Sequence, residues 1–460
     1  MAETEIAAET AMAENAAKAP AAAGHIEYPS QLYAWYAVAV LVIAYTFSFI
    51  DRQILSLLVG PMKRDLEISD FQMSLLQGFA FAIFYTLMGL PIGRMVDSHN
   101  RVRIITIGIA VWSLMTALCG ISKSYMQLFI YRMGVGVGEA ALSPAAYSML
   151  SDYFKPERIG VAIGVYGTGV YIGAGLALVI GAEVVEAARA AGSSTFPIIG
   201  TVYPWQMVFF IVGLPGLLVA LWAWTLREPP RHGATETPPL RQVLAYMKAN
   251  RFTLICHNMC YALSAMMGYG VAAWIPEFMI RTHGWSAGQI GSAYGWIIAI
   301  FGTAGVIAGG WLGDFAAKRA RNGRMLVLAL TGILTLPFAL AAPLVDNPML
   351  AVYLLIPATF FATFTTGGGP SAMQELMPNK MRGMASAIML FVVNIIGLGL
   401  GPSAIAFMTD FILQDESQLR YSIAIVPAVL LAGSSVFGFI GLRAYRRSRD
   451  FRDQYEAAEA

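Results

Sequence analysis

Four ionisable side chains lie inside long apolar runs of this sequence. Asp51 and Arg52 follow the apolar stretch YAWYAVAVLVIAYTFSFI, and Arg132 and Glu139 lie in the run that begins at Tyr125. A charge at the centre of a bilayer costs about 2.5–3.5 kcal/mol on insertion scales, so such residues are rare and usually functional. A carboxyl group in that position can carry a proton, and an arginine can bind an anion.

The spacing of these residues suggests separate roles. Arg132 and Glu139 are two helical turns apart, so they share a helix face about 10 Å apart along the axis. Glu139 is expected near the midplane and partly desolvated, which suits a proton carrier, and Asp51 is the second proton candidate. Arg52 and Arg132 stay charged and can alternate between the carboxylates and an anionic substrate group. A static set of salt bridges is the structural alternative.

The composition excludes a soluble enzyme. Of the 460 residues, 57% are hydrophobic and 13% are charged, whereas an ordinary soluble chain has about 25% charged residues. No basic stripe suggests nucleic-acid binding, and the sequence has no P-loop, nucleophile elbow or zinc-type His/Cys spacing. The three cysteines, Cys119, Cys256 and Cys260, lie in apolar runs. We therefore expect no enzymatic activity, no cofactor and no metal.

Runs of about 20 mostly apolar residues, the length that spans a bilayer, recur along the chain. Twelve such spans are predicted at approximately 33–60, 71–96, 102–121, 125–153, 157–184, 203–226, 252–280, 286–313, 325–343, 349–374, 382–411 and 419–444. The longest polar break divides them six and six. The predicted domains are a disordered cytoplasmic tail (1–32), an N-terminal six-helix bundle (33–226), a cytoplasmic linker (227–251), a C-terminal six-helix bundle (252–445) and a cytoplasmic tail (446–460).

The two halves carry matching loop sequences. GRMVD ends at Asp97 with Arg101 behind it, and GWLGD ends at Asp314 with Lys318 behind it, at the corresponding place in the second half. One six-span unit is therefore used twice. Most of the 30 Lys and Arg residues fall on the side of the two termini. The positive-inside rule then predicts an inner-membrane protein with both termini cytoplasmic.

The repeated G-x-x-x-D loops followed by basic residues resemble those of the major facilitator superfamily. The resemblance implies an all-α membrane fold of twelve helices in two six-helix bundles with pseudo-twofold symmetry. Spans one, four, seven and ten would line a central cavity, and the protein would work as a monomer by alternating access. We assign gating roles to Asp97, Arg101, Asp314 and Lys318. The two aspartates can accept hydrogen bonds from helix N-termini and basic side chains, which would latch the cytoplasmic ends together in an outward-open state.

The charged stretches indicate a particular family within this superfamily. Asp51-Arg52, the pattern R-x-x-x-G-V-G-E-A-x-x-S-P from Arg132 to Pro144, and S-D-Y-F at 151–154 are similar to the spinster family. That family is associated with export of sphingosine-1-phosphate and other lysolipids, in some members coupled to protons. The resemblance implies a lipid-like substrate and a proton-linked cycle that uses the four intramembrane charges.

The second half offers an apolar wall instead of charges. The candidate substrate contacts there are Tyr269, Met266 and Trp274 in span seven and Phe364 in span ten. A cavity with one charged and one apolar wall suits an amphiphile such as a lysolipid. Thr363 and Thr366 could instead bond a sugar, so transport of soluble organic anions such as sugar acids remains an alternative. A multidrug exporter and a non-transporting receptor are further alternatives.

Overall fold

The computed structural model describes residues 28–197, 200–231 and 239–459. Within those ranges, eleven helices are long and apolar enough to cross a membrane. The fourth predicted span is present as two shorter helices, Tyr125–Glu139 and Leu142–Tyr153, on either side of a turn at Ala140 and Ala141. The predicted all-α arrangement is therefore confirmed, with a break in span four directly after Glu139.

The N-terminal half contains six spans and one hairpin. Its α-helices are Gln31–Gln53, Val59–Leu66, Asp70–Ser74, Ala80–Ser98, Arg101–Cys119, Tyr125–Glu139, Leu142–Tyr153, Pro156–Ala191 and Pro204–Trp224. A 3₁₀ turn over Ile54–Leu57 extends span one, and a π-helical segment over Leu75–Phe79 lies within span two. The antiparallel strands Ser194–Phe196 and Gly200–Val202 lie between spans five and six.

The C-terminal half begins after a helix in the linker. Its α-helices are Leu240–Ala249 in the linker, then Arg251–His283, Ala287–Ile297, Thr303–Arg319, Gly323–Ala341, Pro348–Ala362, Phe364–Glu375, Arg382–Val393, Leu400–Phe407 and Leu419–Glu459. Shorter π-helical segments (Ile298–Gly302, Asn394–Gly399, Met408–Leu413) and 3₁₀ turns (Asn379–Met381, Glu416–Gln418) join them. Residues 446–459 of the predicted tail continue the last helix. Residues 1–27 and 232–238 of the predicted tail and linker lie outside the described residues.

The internal repeat is visible in the contacts as well as in the loops. Arg101, at the start of span three, forms an ion pair with Asp152 at the end of span four. Arg324, at the start of span nine, forms an ion pair with Glu375 at the end of span ten. The sequence offset from Arg101 to Arg324 equals the offset from Asp152 to Glu375. The two halves therefore share side-chain contacts, which is the expectation for a duplicated unit.

The two halves pack together on one side of the membrane and separate on the other. We call the side with both termini the terminal side, and the opposite one the distal side. In span two, a Cβ on Gly78 would lie 2.7 Å from the carbonyl oxygen of Leu398 in span eleven, whereas Gly89, further toward the terminal side, meets open space. In span five, Gly175 lies against span eight, whereas Gly164, again further toward the terminal side, meets open space. The chain is thus closed distally and open at the terminal side.

The hydrophobic core shows the same difference between the distal and the terminal side. One buried cluster runs across both halves near the distal side and includes Leu57, Ala177, Trp274 and Ile290. Two further clusters lie toward the terminal side, one built mainly from the N-terminal half and one from the C-terminal half. Apolar burial therefore joins the halves distally and stabilises each half separately at the terminal side.

Close packing of small residues supports the charged helix of span four. A Cβ on Gly138 would lie 2.6 Å from the main-chain nitrogen of Trp112 and 2.8 Å from the Gly108 carbonyl oxygen. We expect Gly138→Ala to destabilise the protein by about 1–3 kcal/mol, because backbone atoms cannot move aside for the methyl group. Thermal unfolding of the detergent-solubilised protein measures this. Gly164→Ala is the matched control, since its methyl group enters open space; equal unfolding temperatures for both variants would contradict the prediction.

Candidate substrate and proton site

An ion pair between spans one and four forms the centre of the site. Arg52 Nε lies 2.6 Å from Glu139 Oε2, and a second guanidinium nitrogen contacts the same oxygen. Ser48, one turn before Arg52 on the same face of span one, donates its hydroxyl to that oxygen. Glu139 is the last residue of its helix before the break in span four. The break therefore lies next to the strongest charge contact between the two spans.

Aromatic rings surround the guanidinium of Arg52. Its central carbon lies 4.5 Å from the ring centre of Phe81, 5.0 Å from that of Phe49 and 5.1 Å from that of Tyr85. Cation–π contacts of this kind favour a cation that has lost part of its hydration. These rings hold Arg52 in place without neutralising it, so its charge is balanced by Glu139 and not by the rings.

Asp51 and Arg132 are close to this pair but do not repeat it. The Asp51 carboxylate accepts a hydrogen bond from Thr116 Oγ1 at 3.1 Å. Arg132 donates to the main-chain oxygens of Asp51 at 3.2 Å and Leu76 at 3.4 Å. The sequence predicted two acids and two bases that come together. Among the described residues, only Arg52 and Glu139 of these four are ion-paired, because Arg132 points at the backbone rather than at a carboxylate.

The four charged residues differ in access to open space. The Arg52 side chain is 14% exposed and lines a small cavity of about 50 Å³. Glu139, Asp51 and Arg132 are buried. One oxygen of each carboxyl group, Glu139 Oε1 and Asp51 Oδ1, is buried and has no hydrogen-bond partner among the described residues. A neutral carboxylic acid tolerates this environment better than a carboxylate, so both groups remain candidate proton sites.

A larger cavity of about 220 Å³ lies between the halves and extends into the C-terminal bundle. Phe49 and Gln53 line both this cavity and the small one beside Arg52. The rest of its wall comes largely from the second half and carries aromatic, aliphatic and hydroxyl groups, with no charged side chain among the described residues. Its hydroxyl-bearing residues are Tyr171, Tyr261, Ser264, Tyr269, Tyr294, Thr335, Thr359, Thr363, Thr365 and Thr366. The charged and uncharged parts of the site therefore adjoin each other.

The predicted contacts of the second half divide into two groups. Tyr269 lines both cavities. Met266, Trp274 and Phe364 lie outside the walls of these two cavities. Trp274 is fully buried and donates its Nε1 hydrogen to the Pro402 carbonyl oxygen at 2.9 Å, and Phe364 packs among phenylalanines of span ten. Both side chains serve helix packing in this conformation, and a substrate contact by either of them stays a prediction for another state.

Several residues of the site were missed by the sequence analysis. Ser48 could have been found, because it lies one turn from Arg52 on the same face. Thr116 and Gln53 are single polar residues in apolar runs, a weaker signal. Tyr171 gave no signal, yet its hydroxyl donates to Thr366 Oγ1 across the two halves at 2.9 Å.

The four residues assigned to gating lie on the terminal side in separate contacts. Arg101 is fully buried against Asp152, Ser148 and the first linker residues. The Asp97 carbonyl oxygen accepts a hydrogen bond from Arg231. Asp314 pairs with Arg324 at 2.7 Å, and Lys318 is exposed. Each of these contacts stays within one half or its linker, as it must when this side is open. The latch in the opposite state stays a prediction.

Ion pairs between the halves lie instead on the distal side. Asp70, at the start of span two, accepts hydrogen bonds from Arg281 at the end of span seven, at 2.7 and 2.8 Å. Arg281 also bonds Glu277, and Lys63 joins Asp70 to Glu416. Among the described residues, two ion pairs therefore cross the interface here, Asp70 with Arg281 and Lys63 with Glu416.

Comparison with known proteins agrees with this architecture. The family model described as Major Facilitator Superfamily matches residues 41–402. An MFS-type efflux pump of Mycolicibacterium smegmatis is 28% identical over 428 residues, which is 90% of this chain and 94% of the pump. The hexuronate transporter of Bacillus subtilis is 23% identical over 392 residues, which is 81% of this chain and 87% of that protein.

A solved structure gives a more specific likeness than the family model. It is a bacterial homologue of the human lysosomal transporter Spinster, in an inward-facing and unoccupied conformation, with a TM-score of 0.76 and 27% identity. The match covers 92% of this chain and 98% of that one. With its duplicated bundles, buried charges and shared cavity, the chain belongs to the major facilitator superfamily and is a spinster-like multi-pass membrane transporter rather than an enzyme.

Proposed function

We propose that this protein moves an amphipathic, lysolipid-like anion or zwitterion across the inner membrane together with protons. The proposal rests on the division of the site into a charged part and an uncharged part. Arg52 reaches a small cavity, and the described wall of the adjoining larger cavity is largely apolar, with hydroxyl groups but without a charged side chain. An anionic head group fits beside the guanidinium, and an apolar chain fits in the larger space.

The proton step follows from competition for Arg52. When Glu139 is ionised, it holds the guanidinium through two nitrogens. When Glu139 takes up a proton, that attraction is lost and Arg52 can bind the anionic head group. Substrate binding and protonation then favour each other, since linked binding equilibria are reciprocal. Proton and anion would therefore be carried in the same direction, with Asp51 as the second proton site.

The orientation of the chain completes the proposal. We place the terminal side in the cytoplasm, because most Lys and Arg residues lie there. The structure would then be open to the cytoplasm and closed to the outside. In the opposite state, Asp97 and Asp314 would latch the cytoplasmic ends together with Arg101 and Lys318 nearby.

A soluble organic anion such as a sugar acid is the second candidate. Five threonines line the larger cavity, Thr335, Thr359, Thr363, Thr365 and Thr366, and their hydroxyls can bond a polyhydroxylated ligand. The similarity to a hexuronate transporter points the same way. The efflux-pump relative keeps a drug-like amphiphile as a further alternative.

Purified protein in liposomes under an imposed pH gradient separates these candidates. We expect addition of a lysophospholipid to start proton movement, read by an internal pH dye, whereas a hexuronate has no effect. The physical reason is the uncharged, largely apolar second wall, which stabilises a chain more than a sugar ring.

Protein-free liposomes control for membrane disturbance by the lysophospholipid. Proton movement with the hexuronate and none above that control with the lysophospholipid would replace the leading proposal with the sugar-acid hypothesis.

A further inference from the structure

The distal side is closed by two carboxylates that bind helix N-termini across the interface. Asp410, in span eleven of the C-terminal half, accepts a hydrogen bond from the main-chain N–H of Phe71 at 2.7 Å. Glu186, in span five of the N-terminal half, accepts one from the main-chain N–H of Gly288 at 3.2 Å. Each contact joins one half to the other.

The two contacts are equivalent under the internal repeat. Spans two and eight both begin with a capping box, formed by Ser69 with Gln72 and by Ser286 with Gln289. Phe71 and Gly288 are each the second residue after the capping serine, so they hold the same position in the two helices. Spans five and eleven occupy matching places in the two halves, so each half supplies one carboxylate and one helix N-terminus.

The physical basis is the unsatisfied N–H groups and partial positive charge at a helix N-terminus. The capping serine and glutamine satisfy some of these groups, which leaves the second N–H for a partner. A charged hydrogen bond there is stronger than one between neutral groups. Each bond joins one half to the other, so opening of the distal side would separate each helix N-terminus from its carboxylate and break the bond.

We infer that Glu186 and Asp410 form a pair of symmetry-related clamps that hold the distal side closed, independently of the substrate. They act beside the ion pairs of Asp70 and Lys63. They add one main-chain contact between span two and span eleven and one between span five and span eight. The clamps set how often the protein opens distally in the absence of ligand. This inference concerns the gate and does not depend on which substrate is carried.

Thiol labelling in membranes tests the clamps. The native cysteines, Cys119, Cys256 and Cys260, are buried and give a low background. Ser56→Cys reports distal opening, because Ser56 lines the small cavity beneath the closed distal contacts and is 2% exposed. Gly164→Cys reports terminal opening, since this position faces open space on the face of span five that contacts span eight further along.

We expect Glu186→Gln with Asp410→Asn to raise distal labelling of Ser56→Cys by a membrane-impermeant maleimide by about tenfold, because each amide keeps a neutral hydrogen bond and the two substitutions together lose the extra strength of the two charged ones. Labelling of Gly164→Cys from the terminal side should fall in the same variant. Each single substitution should give part of the effect. Glu183→Gln, on an exposed residue one turn before Glu186, and Asp346→Asn, whose ion pair lies within the C-terminal half, are matched controls.

Three outcomes would overturn the inference. Distal labelling could equal that of the controls, which leaves the clamps without effect. Both reporters could become more accessible together, which indicates a loosened fold. Only one of the two single substitutions could raise distal labelling, which would show that the two carboxylates are not an equivalent pair. No substrate is added in this experiment, so its failure is distinct from failure of the transport proposal.

Discussion

Glu139→Gln should abolish proton movement, whereas substrate exchange between the two membrane faces should continue. Glutamine keeps a hydrogen-bonding oxygen for Ser48 but cannot gain or lose a proton, so the variant resembles the protonated state permanently. Arg52 is then free to bind an anionic group in every cycle. We expect proton flux at the level of protein-free liposomes and a rate of lysophospholipid exchange that no longer changes between about pH 6 and 8. Paired measurements of internal pH and labelled-substrate exchange check this.

Glu183→Gln provides the control, because it removes a carboxylate of the same size from an exposed position on span five. Normal proton coupling in Glu139→Gln would show that Glu139 has a structural role, and Asp51 would become the first proton site to examine. Loss of exchange as well as coupling would contradict the proposal that a neutral side chain here releases Arg52.

Arg52→Lys should weaken substrate binding without preventing folding. Lysine keeps the positive charge but has no planar fork for two hydrogen bonds and stacks less well among Phe49, Phe81 and Tyr85. We expect the apparent affinity for the anionic substrate to fall about 10- to 100-fold, which corresponds to the 1.5–3 kcal/mol of a charged hydrogen bond. Concentration dependence of uptake in liposomes measures it.

Arg64→Lys is the matched control, since Arg64 is exposed near the distal end of the same segment. The double variant Arg52→Lys with Glu139→Gln tests the competition directly. If the two residues act through each other, their combined effect departs from the sum of the single effects. Additive effects, or an unchanged affinity in Arg52→Lys, would contradict the proposal that Arg52 binds the substrate in competition with Glu139.

The sequence was sufficient for the membrane fold because that fold depends on composition and length. Backbone groups in a bilayer must bond internally, so twelve apolar runs predict helices directly. The repeated loops at Asp97 and Asp314 revealed the duplication in the same way. The break after Glu139 has a local signal in Pro144, which has no N–H for the Ala140 carbonyl and whose ring crowds that carbonyl. The sequence alone did not show whether this proline would kink the span or interrupt it.

The sequence was also sufficient to identify the charged residues of the site, since a charge in an apolar run stands out. It could not decide how these residues pair. Both arginines were predicted to share the two carboxylates, whereas Arg52 binds Glu139 and Arg132 binds main-chain oxygens. For aromatic residues the signal was weaker still, because Tyr269 and Trp274 look alike in a helical run and only one of them lines the cavity.

The sequence by itself therefore determined the number of spans, the repeat and the identity of the intramembrane charges. The tertiary structure alone decided that Glu139 pairs with Arg52, that Tyr171 meets Thr366, and that Glu186 and Asp410 contact helix N-termini on the distal side. The reason is geometric. A helical period shows which residues share a face, but the rotation and tilt of each helix are set by packing against neighbours that are distant in the chain. Every contact that joins two spans depends on that rotation.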